Sequence, residues 1–392
     1  MKARGAALIL TTFFLAGNGA HALEPMLSAM VDDLQRLQVK VASGDRAAYA
    51  AEASQLRAIG NAIGAAKSDH WKDKDESIAA IVYLLSGGQP RDIAKVLQGG
   101  AMPKSEETLM RGALFYVLGR EREAGALIGA IDPRTLDLRI AGQFAYVQGV
   151  IEIPRNAGKA LALLDLARLL APGGLVEEAS LRREILLAGE QKDTDRVAML
   201  ARQYLTRFGA SIYASNFMQG FALTIVRLNL IETQASFEKF QRSAHSMNAE
   251  NRRGFMLAIA RGELENGKFD VAASAALDAL RETPSDSADE ARGQLYQATA
   301  RILDDKYDDG LAQLEKVASA KLGAGDRALL AAVRDLASHL HEAAQPRVDE
   351  RERISIGAAP SSAPADAATN TIKLAEAAIE RTVKLAKSGA PP

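Results

Sequence analysis

Apolar residues recur along this chain at the spacing of helix faces, most clearly between residues 160 and 209. This block predicts three helices, at 160–170, 175–188 and 194–209. Pro172-Gly173-Gly174 breaks the first from the second, because proline lacks an amide proton and glycine favours left-handed backbone. The third helix places its apolar side chains at i, i+3, i+4, i+7, i+8 and i+11, which is one helix face: Val197, Leu200, Ala201, Tyr204, Leu205 and Phe208.

The pattern repeats along the chain. The segment 112–133 resembles a tetratricopeptide-type hairpin, with Gly119 at the turn and Ala124 five residues later, where the two helices touch. Equivalent residues follow at steps of 36, 38, 37, 37 and 38: Ala124, Ala160, Ala198, Ala235, Ala272 and Gly310. Stacked hairpins share a core that one hairpin cannot build alone. We therefore predict that residues 23–345 form an all-α solenoid of about eight tetratricopeptide-like hairpins, with a period of about 37 residues against ~34 in the ideal repeat.

The N-terminus predicts an export signal at residues 1–22. Lys2 and Arg4 precede an apolar stretch at 6–16, which is too short to span a bilayer, and Ala20-His21-Ala22 offers small residues at the cleavage positions. We expect cleavage after Ala22 and a periplasmic mature chain, with an uncleaved anchor as the alternative. No later segment reaches the roughly 18 continuous apolar residues of a membrane-spanning helix.

The C-terminal composition differs from that of the array. Residues 346–370 are rich in Ala, Pro and Ser and predict a flexible linker. Residues 371–392 predict an amphipathic helix and tail, with the helix at 371–386 and one apolar face: Ile372, Ala375, Ile379 and Val383. Such a helix is marginal in isolation, so it either docks on the array or binds a partner.

Charge and cysteine content narrow the class of protein. The chain has 48 basic and 49 acidic residues and no cysteine. Removing Lys2 and Arg4 with the signal leaves a net charge of about −3, which argues weakly against nucleic acid as a partner. Without cysteine, neither disulfides nor thiolate chemistry is possible.

Candidate chemical groups have simple structural interpretations. The histidines after the signal, His70, His245, His339 and His341, lack metal-binding spacing, so no metal site is predicted. We interpret Gly87-Gly88 and Gly173-Gly174 as helix ends in preference to phosphate-binding loops. The acidic pairs Asp304-Asp305 and Asp308-Asp309 predict solvated turns. No catalytic or cofactor-binding residue is predicted.

Two further features indicate packing or a surface contact. Trp71 is the only tryptophan; we favour a cap on the end of a core over an interface anchor. Glu178 and Arg182 are four residues apart and predict a surface ion pair. In solenoids the concave groove is the usual binding surface, but the sequence does not identify which side chains face it.

The run LDLARLLAPGGLVEEASLRREILL followed by ARQYLTRFGASIYASNF resembles the core signature of the MotC family, periplasmic motility proteins of rhizobial-type flagellar systems. The mature start LEP, YLLSGGQP at 83–90, the 112–133 hairpin and AYVQG at 145–149 agree with it, over residues 23–345. Gly174 stands where threonine is expected.

This resemblance implies a non-enzymatic periplasmic protein required for flagellar rotation. The implied partner is the periplasmic domain of the stator protein MotB, whose folding, stability or coupling it would support. Two alternatives come from other classes: a periplasmic repeat scaffold for envelope or polysaccharide assembly, and a helical lyase or transglycosylase.

Overall fold

The computed structural model describes residues 26–304 and 306–344. Within these residues the chain contains 17 α-helices, three short 3₁₀ helices and no β-strand, so the predicted all-α fold class is confirmed. The predicted export signal, linker and C-terminal helix lie outside the described residues. None of the helices in the described part is long and apolar enough to cross a membrane.

Sixteen of the helices can be grouped along the chain as eight consecutive pairs, most of which pack directly, and one more helix follows, in a succession consistent with a helical solenoid. Their bounds are α1 Leu27–Ala42, α2 Arg46–Ala65, α3 Lys74–Leu85, α4 Pro90–Gln98, α5 Lys104–Val117, α6 Glu121–Ile128, α7 Leu138–Glu152, α8 Ala157–Leu170, α9 Leu175–Glu190, α10 Thr194–Phe208, α11 Ala214–Arg227, α12 Gln234–Ala244, α13 Ala249–Glu265, α14 Phe269–Leu280, α15 Ala288–Leu303, α16 Tyr307–Leu314 and α17 Ala324–Ala344.

Local sequence signals set many of these boundaries. The side chains of Asp45, Asn156 and Asp193 accept hydrogen bonds from the first free amides of α2, α8 and α10. The left-handed backbone of Gly173, at φ +82°, lies between α8 and α9. The three helices predicted in the block 160–209 are therefore confirmed as α8, α9 and α10, with ends shifted by at most three residues.

Helices pack most closely where glycine removes a side chain. In α7, a Cβ atom added at Gly142 would lie 2.5 Å from the Cβ of Ala171, and one added at Gly149 would lie 3.0 Å from Cγ of Leu164. Gly149 comes after Gly142 along the chain, but it faces Leu164, which comes before Ala171. The two helices are therefore antiparallel. The side chains of the remaining pairs join two large apolar clusters, one formed within α1–α7 and one running mainly from α9 to α17.

The first helical hairpin, α1–α2, packs against helices from the middle of the array. The amide of Gln35 in α1 donates to the carbonyl of Arg139 in α7 at 3.4 Å. At the α1–α2 turn, a Cβ atom on Gly44 would lie 2.2 Å from the carbonyl oxygen of Ala210, between α10 and α11. Tyr49 stands edge-on to Tyr213 nearby, with ring centroids 6.3 Å apart. The N-terminal hairpin therefore packs against the block formed by α8–α11.

One repeat position was predicted wrongly, and one helix start lacks the expected kind of cap. Helix α5 begins at Lys104 after Pro103 without a side-chain cap, and the hydroxyl of Ser105 donates to Glu106 at 2.5 Å. Ala235 lies in α12, but its side chain is exposed, whereas Phe237 two residues later is buried. Helix α12 begins later relative to its turn than the repeat predicts, so a different residue reaches the helix contact. The repeat period of about 37 residues stays a prediction.

Candidate functional site in the α8 to α11 block

Helix α9 carries three glutamates on its buried side, and each has different partners. Glu177 is 3 % exposed. Its Oε2 accepts from the backbone amide of Gly173 at 2.6 Å and from the Arg207 guanidinium at 2.8 Å. The carboxylate therefore reaches back over the start of its own helix, where amides lack intrahelical partners. It ties the Pro-Gly-Gly turn to α9 and, through Arg207, to α10.

Glu178 is fully buried between α10 and the following turn. The hydroxyl of Tyr204 donates to its Oε1 at 3.0 Å, and the hydroxyl of Ser211 donates to its Oε2 at 2.9 Å. Burial raises the pKa of the Glu178 carboxyl, against the opposing effects of Arg182 and of the two hydroxyls. The predicted surface pair with Arg182 was wrong: the Arg182 guanidinium lies over the Tyr213 ring, 5.5 Å from its centroid.

Glu184 lies at the centre of an ionic network that joins α8, α9 and α10. Its Oε2 accepts from Arg168 at 2.7 Å, and its Oε1 has no hydrogen-bond partner. Arg168 also donates to Asp165 at 3.0 Å and to Gln203 at 2.7 Å, and Arg196 donates to Asp165 at 3.0 Å. Burial raises the pKa of Glu184 to about 7, although the positive charge of Arg168 acts in the opposite direction.

These carboxylates are arranged for packing, because each is enclosed by side chains from neighbouring helices. A general acid or base needs access to a substrate proton in a cleft, and Glu178 and Glu184 have no exposed surface. A cavity of about 500 Å³ lies far along the chain, between α16 and α17, and a single carboxylate, that of Glu315, lines it. Among the described residues, no group of three His, Cys, Asp or Glu side chains could hold a metal ion.

Exposed apolar side chains occur on the turn that Glu177 holds and on the helices next to it. Leu138 at the start of α7 and Leu169 near the end of α8 are each 78 % exposed, more than any other large apolar side chain in the described part. Val39 of α1 is 49 % exposed, and its Cγ2 lies 3.8 Å from the position of a Cβ on Gly174. Pro172 is also exposed. We call Val39, Leu138, Leu169 and Pro172 the turn patch.

The histidines lie at separate places. His70 Nε2 is 2.8 Å from Glu76 Oε2, and the same carboxylate accepts from the amide of Leu27 at 3.0 Å, so Glu76 fixes the start of α1. His245 and His339 each place Nδ1 2.8 Å from the backbone carbonyl four residues earlier. The side chain of His341 is outside the described part.

The other residues singled out in the sequence serve the fold. Trp71 is 3 % exposed and packs in the apolar cluster of α1–α7, which confirms the packing interpretation. Gly87 and Gly173 have φ of +100° and +82° at helix ends, as predicted. Asp308 and Asp309 are exposed in the first turn of α16, while Asp305 lies outside the described residues.

The buried glutamates of α9 were not identified from the sequence. Their signal was present: Glu177, Glu184 and the apolar Leu181 between them are spaced so that they share a helix face. A carboxylate on an apolar face indicates a partner from another helix, but the sequence alone does not show which one.

Comparisons with known proteins identify the family. A family model described as "Chemotaxis protein MotC" matches residues 2–390. A protein of the same name from Rhizobium meliloti (strain 1021) is 25 % identical over 350 residues, covering 89 % of this chain and 77 % of that protein. Among solved structures, NprR in complex with its cognate peptide NprX aligns over 92 % of this chain and 98 % of its own, with 12 % identity and a TM-score of only 0.29. Because the family model spans nearly the whole sequence, this chain belongs to the MotC family of chemotaxis and motility proteins.

Proposed function

We propose that this protein is a non-enzymatic periplasmic component of bacterial motility that supports flagellar rotation through protein–protein contact. The observation that carries the proposal is the MotC family match over residues 2–390. The α8–α11 block is compatible with it, because its buried carboxylates Glu178 and Glu184 are enclosed in packing contacts, while the apolar side chains of the turn patch are exposed. A rigid helical array with an exposed apolar patch suits a binding protein.

The partner we propose is the periplasmic domain of MotB, and the turn patch is the surface we assign to it. Exposed leucines around a fixed turn supply the apolar centre that stable protein interfaces use. Glu177 holds the turn from inside, so the patch keeps one shape before the partner arrives, which lowers the entropy lost on binding.

A deletion strain tests the function. We expect the strain to assemble flagella and to swim poorly or not at all, with recovery when the gene is restored. Normal swimming, or loss of the filament itself, would contradict a role in rotation. Immunoblots for MotB in the same strain distinguish two possible roles. A reduced MotB level indicates that the protein supports the folding or stability of MotB, and a normal level with stopped motors indicates that it supports motor coupling.

Capture of MotB tests the surface. The mature chain should retain the MotB periplasmic domain, and Leu138→Ser with Leu169→Ser should weaken retention at least about tenfold, since apolar anchors near the centre of an interface carry much of its energy. Leu223→Ser is a matched control, because Leu223 of α11 is also 65 % exposed but lies outside the patch. Equal retention by all three proteins would remove the patch from the proposal, and no retention by the unaltered chain would remove MotB.

Export is tested separately. N-terminal sequencing of the protein from the periplasmic fraction should begin at Leu23, as expected for cleavage after Ala22. A chain that keeps Met1 and sediments with membranes would establish the uncleaved anchor instead.

A further inference from the structure

The array ends on a helix that has no second member within the described residues. Most of the preceding odd-numbered helices pack against the helix that follows them, as α13 does against α14 and α15 against α16. Helix α17 instead reaches Ala344, where the described part of the chain ends. The order of the fold therefore leaves a position beside α17 and next to α16, where the second helix of a ninth pair would pack.

A cleft is present at that position. Its volume is about 500 Å³, and its lining comes from α16, its C-terminal end and α17. Leu311, Leu314 and Ala337 give it an apolar floor, and Glu315 and Arg334 give it one charge of each sign. The hydroxyl of Tyr307 donates to the carbonyl of Ala337 at 2.6 Å and joins the two walls. The lining of the cleft therefore combines apolar side chains with one charge of each sign.

The segment 371–386 has the complementary pattern. Its apolar side chains fall at i, i+3, i+7 and i+11, so as a helix it presents one narrow apolar face: Ile372, Ala375, Ile379 and Val383. Charges of both signs flank that face, among them Glu376 and Lys384. A helix of this length is marginal alone and needs a surface to pack against.

The connection between the segment and the cleft has a suitable length. Residues 345–370 separate α17 from the segment, and a flexible chain of this length spans roughly 28 Å on average. Ala337 lies about 10 Å back along α17 from Ala344, at 1.5 Å per residue. The average reach of the tether exceeds this distance, so the segment can reach the cleft, and a short flexible tether gives an effective concentration in the millimolar range.

We propose that residues 371–386 dock in the cleft between α16 and α17 of the same chain and complete the last hairpin. Three observations carry this choice: the unfilled position in the repeat, the charges on both surfaces and the length of the tether. A second copy of the chain or another protein would have to compete with a segment already held beside the cleft.

Hydrogen exchange on the full mature chain tests the proposal. We expect amides within 371–386 to be protected at least about tenfold, independently of protein concentration, because the docking is intramolecular. Ile379→Glu places a charge on the docking face and should abolish the protection. Ala377→Glu introduces the same side chain on the opposite face of the helix and should leave it intact.

Cross-linking gives the location, and the absence of cysteine from the sequence makes it specific. The pair Ser338→Cys and Ala375→Cys should form an intramolecular disulfide, whereas Ser215→Cys on α11 with Ala375→Cys should not. Unprotected amides would overturn the proposal. So would protection that increases with concentration together with a dimer mass, or protection that arises only when the MotB periplasmic domain is added.

Discussion

Glu184 should make the stability of this protein fall as the pH rises from weakly acidic to weakly basic. Its carboxyl is fully buried, and burial raises its pKa from the ordinary 4.5 to about 7. Between these two values the folded protein binds more protons than the unfolded chain, because Glu184 stays protonated only in the fold. Linkage then requires the free energy of unfolding to decrease with increasing pH.

The size of the effect follows from the same two values. Each pKa unit corresponds to about 1.36 kcal/mol, so ionising Glu184 in the fold costs roughly 3 kcal/mol over the whole interval. Stability from this group is fully present below pH 4.5 and is lost as the pH rises through about 7. Arg168 already moderates the cost, and Glu184 Oε1 has no hydrogen-bond donor to reduce it further.

Glu184→Gln isolates this contribution, because the amide keeps the shape and an acceptor for Arg168 but does not titrate. Urea unfolding followed by far-UV circular dichroism at pH 5, 6, 7 and 8 gives the free energy of unfolding of both proteins. Relative to the unaltered protein, the free energy of unfolding of the variant should increase by roughly 2–3 kcal/mol between pH 5 and 8. Asp308→Asn, at an exposed carboxylate, should show no such gain. A constant difference between Glu184→Gln and the unaltered protein would refute the argument.

Three glycines give further predictions, each measured by urea unfolding. Gly44→Ala should destabilise by at least about 2 kcal/mol, because φ is +96° and the new Cβ would meet the carbonyl of Ala210 at 2.2 Å; an unchanged midpoint would count against the packing of α1 on the α10–α11 turn. Gly112→Ala should destabilise by about 1–3 kcal/mol, since its Cβ would lie 2.3 Å from Cγ2 of Ile128. Gly220→Ala has open space around the new Cβ and should stabilise by about 0.5–1 kcal/mol. If Gly112→Ala and Gly220→Ala changed the free energy of unfolding in the same direction, the contacts described here would be contradicted.

The fold was largely predictable because its signals are local. Asp45, Gly173 and Asp193 determine helix boundaries through contacts within a few residues, and the spacing of apolar side chains defines the faces between them. Ala235 marks the limit of this reasoning. A repeat position specifies which residue meets the neighbouring helix only if the helix begins in the expected place, and α12 does not, so Phe237 makes that contact.

The polar core could not be predicted because its contacts join residues distant in sequence. Tyr204 and Ser211, the partners of Glu178, lie 26 and 33 residues further along the chain. The four-residue spacing predicted Arg182 as the partner of Glu178. The Glu178 carboxylate is buried, however, and a buried polar group needs hydrogen-bond partners, which are the hydroxyls of the next helix and turn. The surface that contacts MotB and the docking site of segment 371–386 are also proposals, because the local sequence pattern does not show which distant residues meet.

The segment that carries the family resemblance has two structural roles on opposite sides of one turn. On the inside, Glu177 accepts from Gly173 and Arg207 and fixes the path between α8 and α9. On the outside, that path sets where Leu169 and Pro172 project. A buried ionic contact is weak evidence for stability by itself, because desolvation offsets its Coulomb energy. Its clearest effect here is geometric: it ties the turn to α9 and α10 and so holds the backbone that carries Leu169 and Pro172.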